Sequence, residues 1–522
     1  MRAEQLRRSL ARLFRIDSEF SARELAFALG KAADRTAWVA QLLTEAQWHY
    51  GPGQSGGLEG LAFGRIIHSL GEAVEMLASS DAETLQIVLP GLLEALGEPT
   101  RAWLDALELV PDPLKEARRW AQDAKAAAFG YLSRTIVSSG RSVDEHPRSA
   151  LRADEIVWGR APARLDLGGG WTDTPPYALE HGGCVINAAV NLNGQPPIHC
   201  YARVIPEPVL RIASIDIGTQ VQIERIEDLL DYRSPTSGFA LAKATLAISG
   251  LDPAADCWPD AISLREMLER FGGGIELTTL AAIPKGSGLG TSSIVGAVIL
   301  ATIQRVMGHT PTQQELFHGV LKLEQALTTG GGWQDQVGGA VDAVKMVRTA
   351  PGLVPDPMIQ YVPADVLDPR RNGGCTLLYY TGITRLAKNI LQQVVGRYLN
   401  RDRQAMQTLR QIHHLPSHVA EAMSRKDLKR FGELVDVAWR LNKQLDPNSS
   451  NARIEQLLSR VQEHLYGAKL LGAGGGGFLL MVCRSPEDAA KVREMLDAEP
   501  PNNLARFFDF DISPDPLTVT VC

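Results

Sequence analysis

The chain has 522 residues, 45% of them hydrophobic and 22% charged, with a formal net charge of -7. That length exceeds one ordinary core and predicts two or three domains, while the acidic balance excludes the concentrated basic surface that nucleic-acid binding needs. No apolar run approaches the roughly 18 uncharged residues of a membrane-spanning helix, and the cysteines at 184, 200, 257, 375, 483 and 522 never form C-x-x-C, so buried thiols in a reducing cytoplasm are expected rather than a zinc cage or disulfide framework.

From Arg2 to about Ser139 apolar residues recur three and four apart, as in RTAWVAQLLTEAQW and DPLKEARRWAQDAKAAAFGYL, which predicts an all-α domain over residues 1–148. The opening MRAEQLRRSLARLFRIDSEF contains Glu4, Asp17 and Glu19, and so reads as an amphipathic helix rather than a targeting peptide. A polar stretch, SSGRSVDEHPRSALRADE, marks the boundary. Beyond Glu155 the texture changes: CVINAAVNL, IHCYARVI, VLRIASI and GIELTTLAAI predict strands, with helices at SGFALAKATLAISG and SLREMLERF. After a proline-rich loop from Pro351 come a strand, CTLLYYTG, amphipathic helices from Arg385 to Tyr466, and two late strands, GFLLMVC and LTVTVC. Mixed strands and helices without steady βαβ alternation predict an α+β fold, with domains over 149–350 and 351–522.

Four glycine-rich stretches carry the chemistry. In APARLDLGGGWTDTPPYALEHGG, Arg164 and Asp173 flank glycines; alone this is a charged loop, as often structural as functional. In PKGSGLGTSS, residues 284–293, Gly286, Gly288 and Gly290 follow a strand and precede a helix expected from about Ser292 to Met307, whose free amides and dipole suit a phosphate. Thr291, Ser292 and Ser293 add hydroxyls for phosphate or a metal ion; the plainer alternative is a tight turn with helix-capping residues. In LKLEQALTTGGGWQDQVGG a helix opened by the capping box Thr312/Glu315 places Leu316, Val320, Leu323 and Leu327 on one face together with Glu324. A carboxylate among leucines must be paired, protonated or metal-bound. Asp335 follows, a second carboxylate in a glycine-rich loop. LGAGGGGFLLMVC matches G-x-G-x-x-G at Gly472, Gly474 and Gly477, but a strand rather than a helix follows, which rules out a dinucleotide fold and points to a loop passing close to something else.

Together these stretches resemble the family of galactokinase, homoserine kinase, mevalonate kinase and phosphomevalonate kinase (GHMP kinases), from about Val157 to Cys522. The motif P-x-x-x-G-L-G-x-S-S fits at Pro284, Gly288, Leu289, Gly290, Ser292 and Ser293. Within the family GGWTDTPPY, residues 169–177, most resembles the L-fucokinases, with heptose-phosphate kinases second; Gly170 and Trp171 replace the galactokinase glutamate and histidine. The resemblance implies a ribosomal-protein-S5-like N-half and a ferredoxin-like C-half behind the helical domain. It implies ATP held by Lys285, Gly286, Ser287, Gly288, Leu289, Gly290, Thr291, Ser292 and Ser293, and Mg2+ held by Ser292 and Glu324. Asp335 is then the catalytic aspartate and Arg164 a cation beside it. Gly170, Trp171, Thr172, Asp173 and Asp335 would meet the sugar, Gly475 and Gly476 would line the phosphate side, and Arg385 would contact substrate or phosphate. The implied reaction is ATP-dependent phosphorylation of L-fucose at its anomeric hydroxyl. The alternatives are a D-glycero-D-manno-heptose 7-phosphate kinase and a catalytically silent ATP and sugar sensor. The expected partners are these small molecules, not nucleic acid or membrane, with the helical domain as a surface for self-association or a pathway partner.

Overall fold

The computed structural model describes residues 11–14, 18–31, 42, 59–80, 113–137, 146–234, 237–253, 257–258, 262–284, 286–327, 330–383 and 387–522. The chain divides into two units, Met1–Ser139 with Gln393–Gln407, and Gly140–Gln392 with Thr408–Cys522.

Among the described residues of the first unit, the helices α1 (Ala22–Lys31), α2 (Glu59–Ser80) and α3 (Pro113–Val137) bury Leu25, Leu29, Ile66, Leu70, Val74, Ala121, Ala124 and Leu132. Ile66, Leu70 and Val74 are four apart and therefore share one helix face. Gly71 lets α2 meet α3 at backbone distance, since a Cβ there would stand 2.8 Å from the Ala121 carbonyl oxygen. Among the described residues of this unit no strand occurs, as the periodicity predicts. Apart from Leu42, the expected helix over RTAWVAQLLTEAQW falls outside the described residues, as does most of the N-terminal one, of which Ala11–Phe14 forms a short 3-10 helix.

His68 on α2 is buried, with Nδ1 2.9 Å from Asn400 Oδ1. Burial pushes its pKa down to about 4 against the weaker opposing pull of the Asn400 bond. The unfolded chain therefore takes up a proton below pH 6.5 that the folded helix refuses until about pH 4, and about 3 kcal/mol of local stability is lost as pH falls through that window. Amide exchange along α2 is expected to accelerate from pH 6.5 to 4 after correction for intrinsic rates, and His68→Gln to flatten that dependence; a flat profile in the unaltered chain would contradict the assignment.

The described residues of the second unit form three sheets. Strands β1 (Val157–Ala161), β2 (Ala163–Gly168), β3 (Cys184–Leu192), β4 (Ile198–Ile205), β5 (Leu210–Ser214), β6 (Thr219–Ile223), β7 (Gly274–Ala281), β8 (Val344–Arg348), β9 (Met358–Tyr361), β10 (Thr376–Tyr380), β11 (Leu465–Leu470), β12 (Phe478–Cys483), β13 (Arg506–Phe508), β14 (Phe510–Ile512) and β15 (Thr518–Val521) supply them. One sheet runs β15-β1-β4-β7-β5-β6, and a second β14-β3-β8-β9 with β2 paired to β3. The third, β11-β12-β10-β13, is antiparallel throughout. Its strands occur in chain order β10, β11, β12, β13 with helices after the first and third, which is the ferredoxin-like arrangement expected for the C-half. A single residue, Asp509, separates β13 from β14, so the chain steps directly from this sheet to the second one.

Helices α4 (Thr291–Val306), α5 (Gln313–Ala326) and α6 (Gln334–Ala340) pack Ala297, Leu300, Phe317, Val320 and Val337 with Trp333 and Val347 into one core. The mixed helix and sheet architecture is the α+β class read from the sequence. The pattern had singled out β3, β4, β5, β7, β10, β12 and β15 but not the rest. In particular, β11 begins in the last two residues of the span, ending at Tyr466, where amphipathic helices were expected, and its other four residues were assigned no element.

Candidate active site

β7 leads into the 286–290 loop, and Gly290, at φ +72°, ends it as the residue preceding α4. No side chain caps that helix end, so its first amides are left to other acceptors. The loop's hydroxyls are organised internally: Ser287 Oγ lies 3.0 Å from Thr291 Oγ1 and accepts from the Leu289 N–H at 3.3 Å. Leu289 is buried, and its carbonyl accepts the Arg164 N–H at 3.2 Å, which ties the loop to β2. Gly288, at φ +76°, faces the other glycine loop; a Cβ there would lie 2.2 Å from the Leu471 carbonyl oxygen. Gly286 also has positive φ, and Lys285 lies outside the described residues.

Asp335 does not sit in a loop as the sequence suggested. It occupies the first turn of α6, where the glycines at 330–332 end and Trp333 immediately precedes the helix. A carboxylate is favoured there by the helix dipole. Asp335 faces the start of α4, since a Cβ on Gly290 would stand 3.1 Å from the Asp335 Cβ. Arg164 of β2, only 3% exposed, donates from Nη2 to Asp335 Oδ1 and from Nη1 to the Gly288 carbonyl at 3.5 Å. Burial lowers the Arg164 pKa, and the charges of Asp166 and Asp173 work against that. Gly338 allows this approach, because a Cβ there would be 2.2 Å from Arg164 Cγ. At the far end of α6, buried Lys345 donates to the Gly338 and Val341 carbonyls at 3.0 and 2.7 Å. Its pKa is pushed down by burial to about 7.

Glu324 on α5 is 4% exposed, and its Oε1 accepts from Ser293 Oγ at 2.6 Å. The described structure thus pairs it with Ser293, while neighbouring Ser292 is exposed on the first turn of α4. A magnesium ion is usually held by one or two carboxylates, with water and substrate phosphates completing its shell. Glu324 fits that role as a buried carboxylate beside the serines at the start of α4, with Gly331 so close that a Cβ there would stand 3.0 Å from Oε2. Among the described residues no group of three or more His, Cys, Asp or Glu side chains forms a ready metal cage.

On the sugar side, Asp173 is buried and already held, its Oδ1 accepting the Trp171 N–H and its Oδ2 the Gln334 N–H, each at 3.1 Å. Burial raises its pKa to about 6 despite the Gln334 bond and the Arg164 charge. Trp171 adopts φ +82° and is 8% exposed. Thr172 is fully buried, its Oγ1 lying 2.7 Å from the Gly169 carbonyl and accepting the Cys184 N–H, which is a bracing contact. Gly170 lies against Asp166 and Gln334. The Gly475 N–H donates to the Ser449 carbonyl at 2.5 Å, and Gly476 lies against the Ile383 carbonyl. Arg385 lies outside the described residues. Three residues that sequence reasoning passed over are also here: Asp166, Gln334 and Lys469. Asp166 was detectable in principle, because Arg164 and Asp166 are two apart in a strand and must project to the same face.

Residues 261–341 match the family described as GHMP kinases N terminal domain, and residues 419–502 match GHMP kinases C terminal. The chain carries both GHMP kinase domains. It is 38% identical over 438 residues to an L-fucokinase/L-fucose-1-P guanylyltransferase of Bacteroides fragilis, an alignment covering 81% of this chain and 46% of that protein. It is 32% identical to a bifunctional fucokinase/GDP-fucose pyrophosphorylase of Arabidopsis thaliana, over 78% of this chain and 37% of that one. It thus spans less than half the length of these relatives. Among solved structures, a D-glycero-D-manno-heptose 1-phosphate kinase from Bacteroides thetaiotaomicron superposes with a TM-score of 0.51 at 17% identity, over 70% of this chain and 98% of the other; the likeness establishes the fold. No described helix is long and apolar enough to cross a membrane.

Proposed function

We propose that this chain transfers the terminal phosphoryl group of ATP to the anomeric hydroxyl of L-fucose, giving L-fucose 1-phosphate. The observation that carries the reading is the approach of Asp335, held by Arg164, to the uncapped start of α4. Phosphoryl transfer asks chiefly for positioning and for neutralisation of negative charge, and this arrangement offers amides for the phosphates and a carboxylate for the acceptor hydroxyl. Two relatives whose names include fucokinase, together with GGWTDTPPY, support the choice of sugar.

In this reading Asp335 orients the hydroxyl and accepts its proton late, because a carboxylate is a weak base towards a sugar alcohol. Arg164 fixes the carboxylate and reaches the loop beneath the phosphates. Asp173 accepts from sugar hydroxyls with lone pairs left over from its two amide bonds. Glu324, with Ser292 or Ser293, would hold Mg2+, which when bound offsets charge on the phosphates. Glu324→Gln is expected to raise the Mg2+ concentration needed for half-maximal turnover by about tenfold or more, as loss of a hard anionic ligand does. An unchanged requirement in a magnesium titration would remove Glu324 from that role.

The deciding assay follows ADP release with L-fucose, D-galactose and D-glycero-D-manno-heptose 7-phosphate offered separately. Turnover of L-fucose is expected. Turnover of the heptose alone would replace the substrate, and ATP binding without ADP release from any sugar would make the chain a sensor.

A further inference from the structure

β2 carries two buried charges, and the phosphoryl-transfer geometry above uses only Arg164. The other, Asp166, is 2% exposed and places Oδ2 2.7 Å from Nζ of Lys469, which is 1% exposed and lies on β11 in the ferredoxin-like sheet. Oδ1 of Asp166 accepts from the Gln334 side chain at 3.2 Å, and the backbone N–H of the same Gln334 reaches Asp173 Oδ2 at 3.1 Å. One continuous set of hydrogen bonds therefore runs from the C-half strand β11, through β2, to the first residue of α6 and on to the loop of Asp173. Gln334 adjoins Asp335, so a shift of its anchor moves both the sugar side and the catalytic side of the site.

We propose that Lys469 and Asp166 form a positioning pair that ties the ferredoxin-like half to the sugar side of the site, fixing Gln334 and through it Asp173. The proposal rests on the reading of Asp173 as an acceptor for sugar hydroxyls. Two buried charges taken out of water are seldom more stable than well-packed apolar side chains of similar size, so packing alone does not account for the pair. Its electrostatic consequence is specific. The charged groups facing Asp173 are Arg164 and Asp166 of β2; Arg164 is paired with Asp335 of α6, and Asp166 with Lys469 of β11. Lys469 holds the Asp166 pKa down together with Arg164, although burial alone would raise it. Without the lysine, a bare carboxylate faces Asp173 and opposes its ionisation; without Asp166, that opposition disappears and a buried cation remains nearby.

The test is L-fucose affinity of the full chain by calorimetry from pH 5 to 8, with ATP affinity and thermal unfolding measured in parallel. Lys469→Met is expected to move the acid limb of sugar binding upward by about half a pH unit or more, and Asp166→Asn to move it downward by a similar amount. ATP affinity should hold in both. If Lys469→Met is too unstable to fold, the double variant Lys469→Met/Asp166→Asn, which leaves no unpaired buried charge, still reports: its limb should lie above that of Asp166→Asn, and its sugar affinity should remain several-fold weakened. Limbs that move together, or a double variant with unaltered sugar affinity, overturn the proposal. If the unaltered chain binds no L-fucose at any pH, the substrate reading has failed instead. The same comparison is then read from the inflection near pH 6 in the unfolding midpoint, which should shift in opposite directions in the two single variants.

Discussion

Asp335→Asn is expected to lower turnover by about a thousand-fold, within the range that a positioned proton acceptor supplies, while the protein folds and binds ATP as before. The geometry gives the reason for separating these effects. Asp335 meets Arg164 and the start of α4 from α6, whereas the loop that receives the phosphates is organised by Ser287, Thr291 and the Arg164–Leu289 backbone bond, none of which the substitution touches. Asparagine is isosteric and can still accept from Arg164, so the guanidinium is not stranded. Single-turnover kinetics should show the loss in the chemical step, with little change in the KM for ATP. If the variant kept more than about a tenth of wild-type turnover, the carboxylate would be at most an orienting group and Asp335 would lose its assigned role.

The second large effect is expected at Gly288. Two costs coincide there: a positive φ that an L-residue adopts with strain, and a Cβ that would sit 2.2 Å from the Leu471 carbonyl oxygen. Gly288→Ala should destabilise the protein by about 2 to 4 kcal/mol and weaken ATP binding strongly, because the two glycine loops must part to admit the methyl group. Gly194→Ala supplies the control. Gly194 has φ +79° but nothing within 4 Å of the added Cβ, so it suffers strain alone, about 1 kcal/mol, with no change in ATP affinity. Denaturant midpoints and ATP titrations of the two variants make the comparison; equal losses would show that the contact between the loops carries no weight.

That contact also shows why the glycine stretches were only half legible. The sequence showed that LGAGGGGFLLMVC runs into a strand and passes close to something, but not to what. Its partner is PKGSGLGTSS, nearly two hundred residues earlier, with the Phe478 N–H donating to the Ser287 carbonyl at 2.9 Å. The helix after PKGSGLGTSS, the capping box at Thr312 and Glu315, and the burial of Glu324 on the leucine face of α5 were all readable, since each depends on residues within a few turns of one another. Asp335 was singled out as a residue but placed in a loop. A helix of seven residues with two glycines, Gln334–Ala340, has too little propensity to announce itself, and forms because Val337 packs in the core and Lys345 takes its terminal carbonyls.

Strand β11 is the clearest case of a tertiary decision. LYGAKL contains a glycine and a lysine, and reads poorly as a buried strand. It is one because Lys469 finds Asp166 and because β12 supplies its hydrogen bonds. By itself the sequence determined the local features: the helical periodicity, the caps, the turns that only glycine tolerates, and the order of motifs along the chain. The tertiary structure decided which charge meets which. Arg164 with Asp335, Asp166 with Lys469 and Ser293 with Glu324 are pairings across long stretches of chain, and a buried charge becomes tolerable only when folding brings its counter-charge or hydrogen-bond partner within reach.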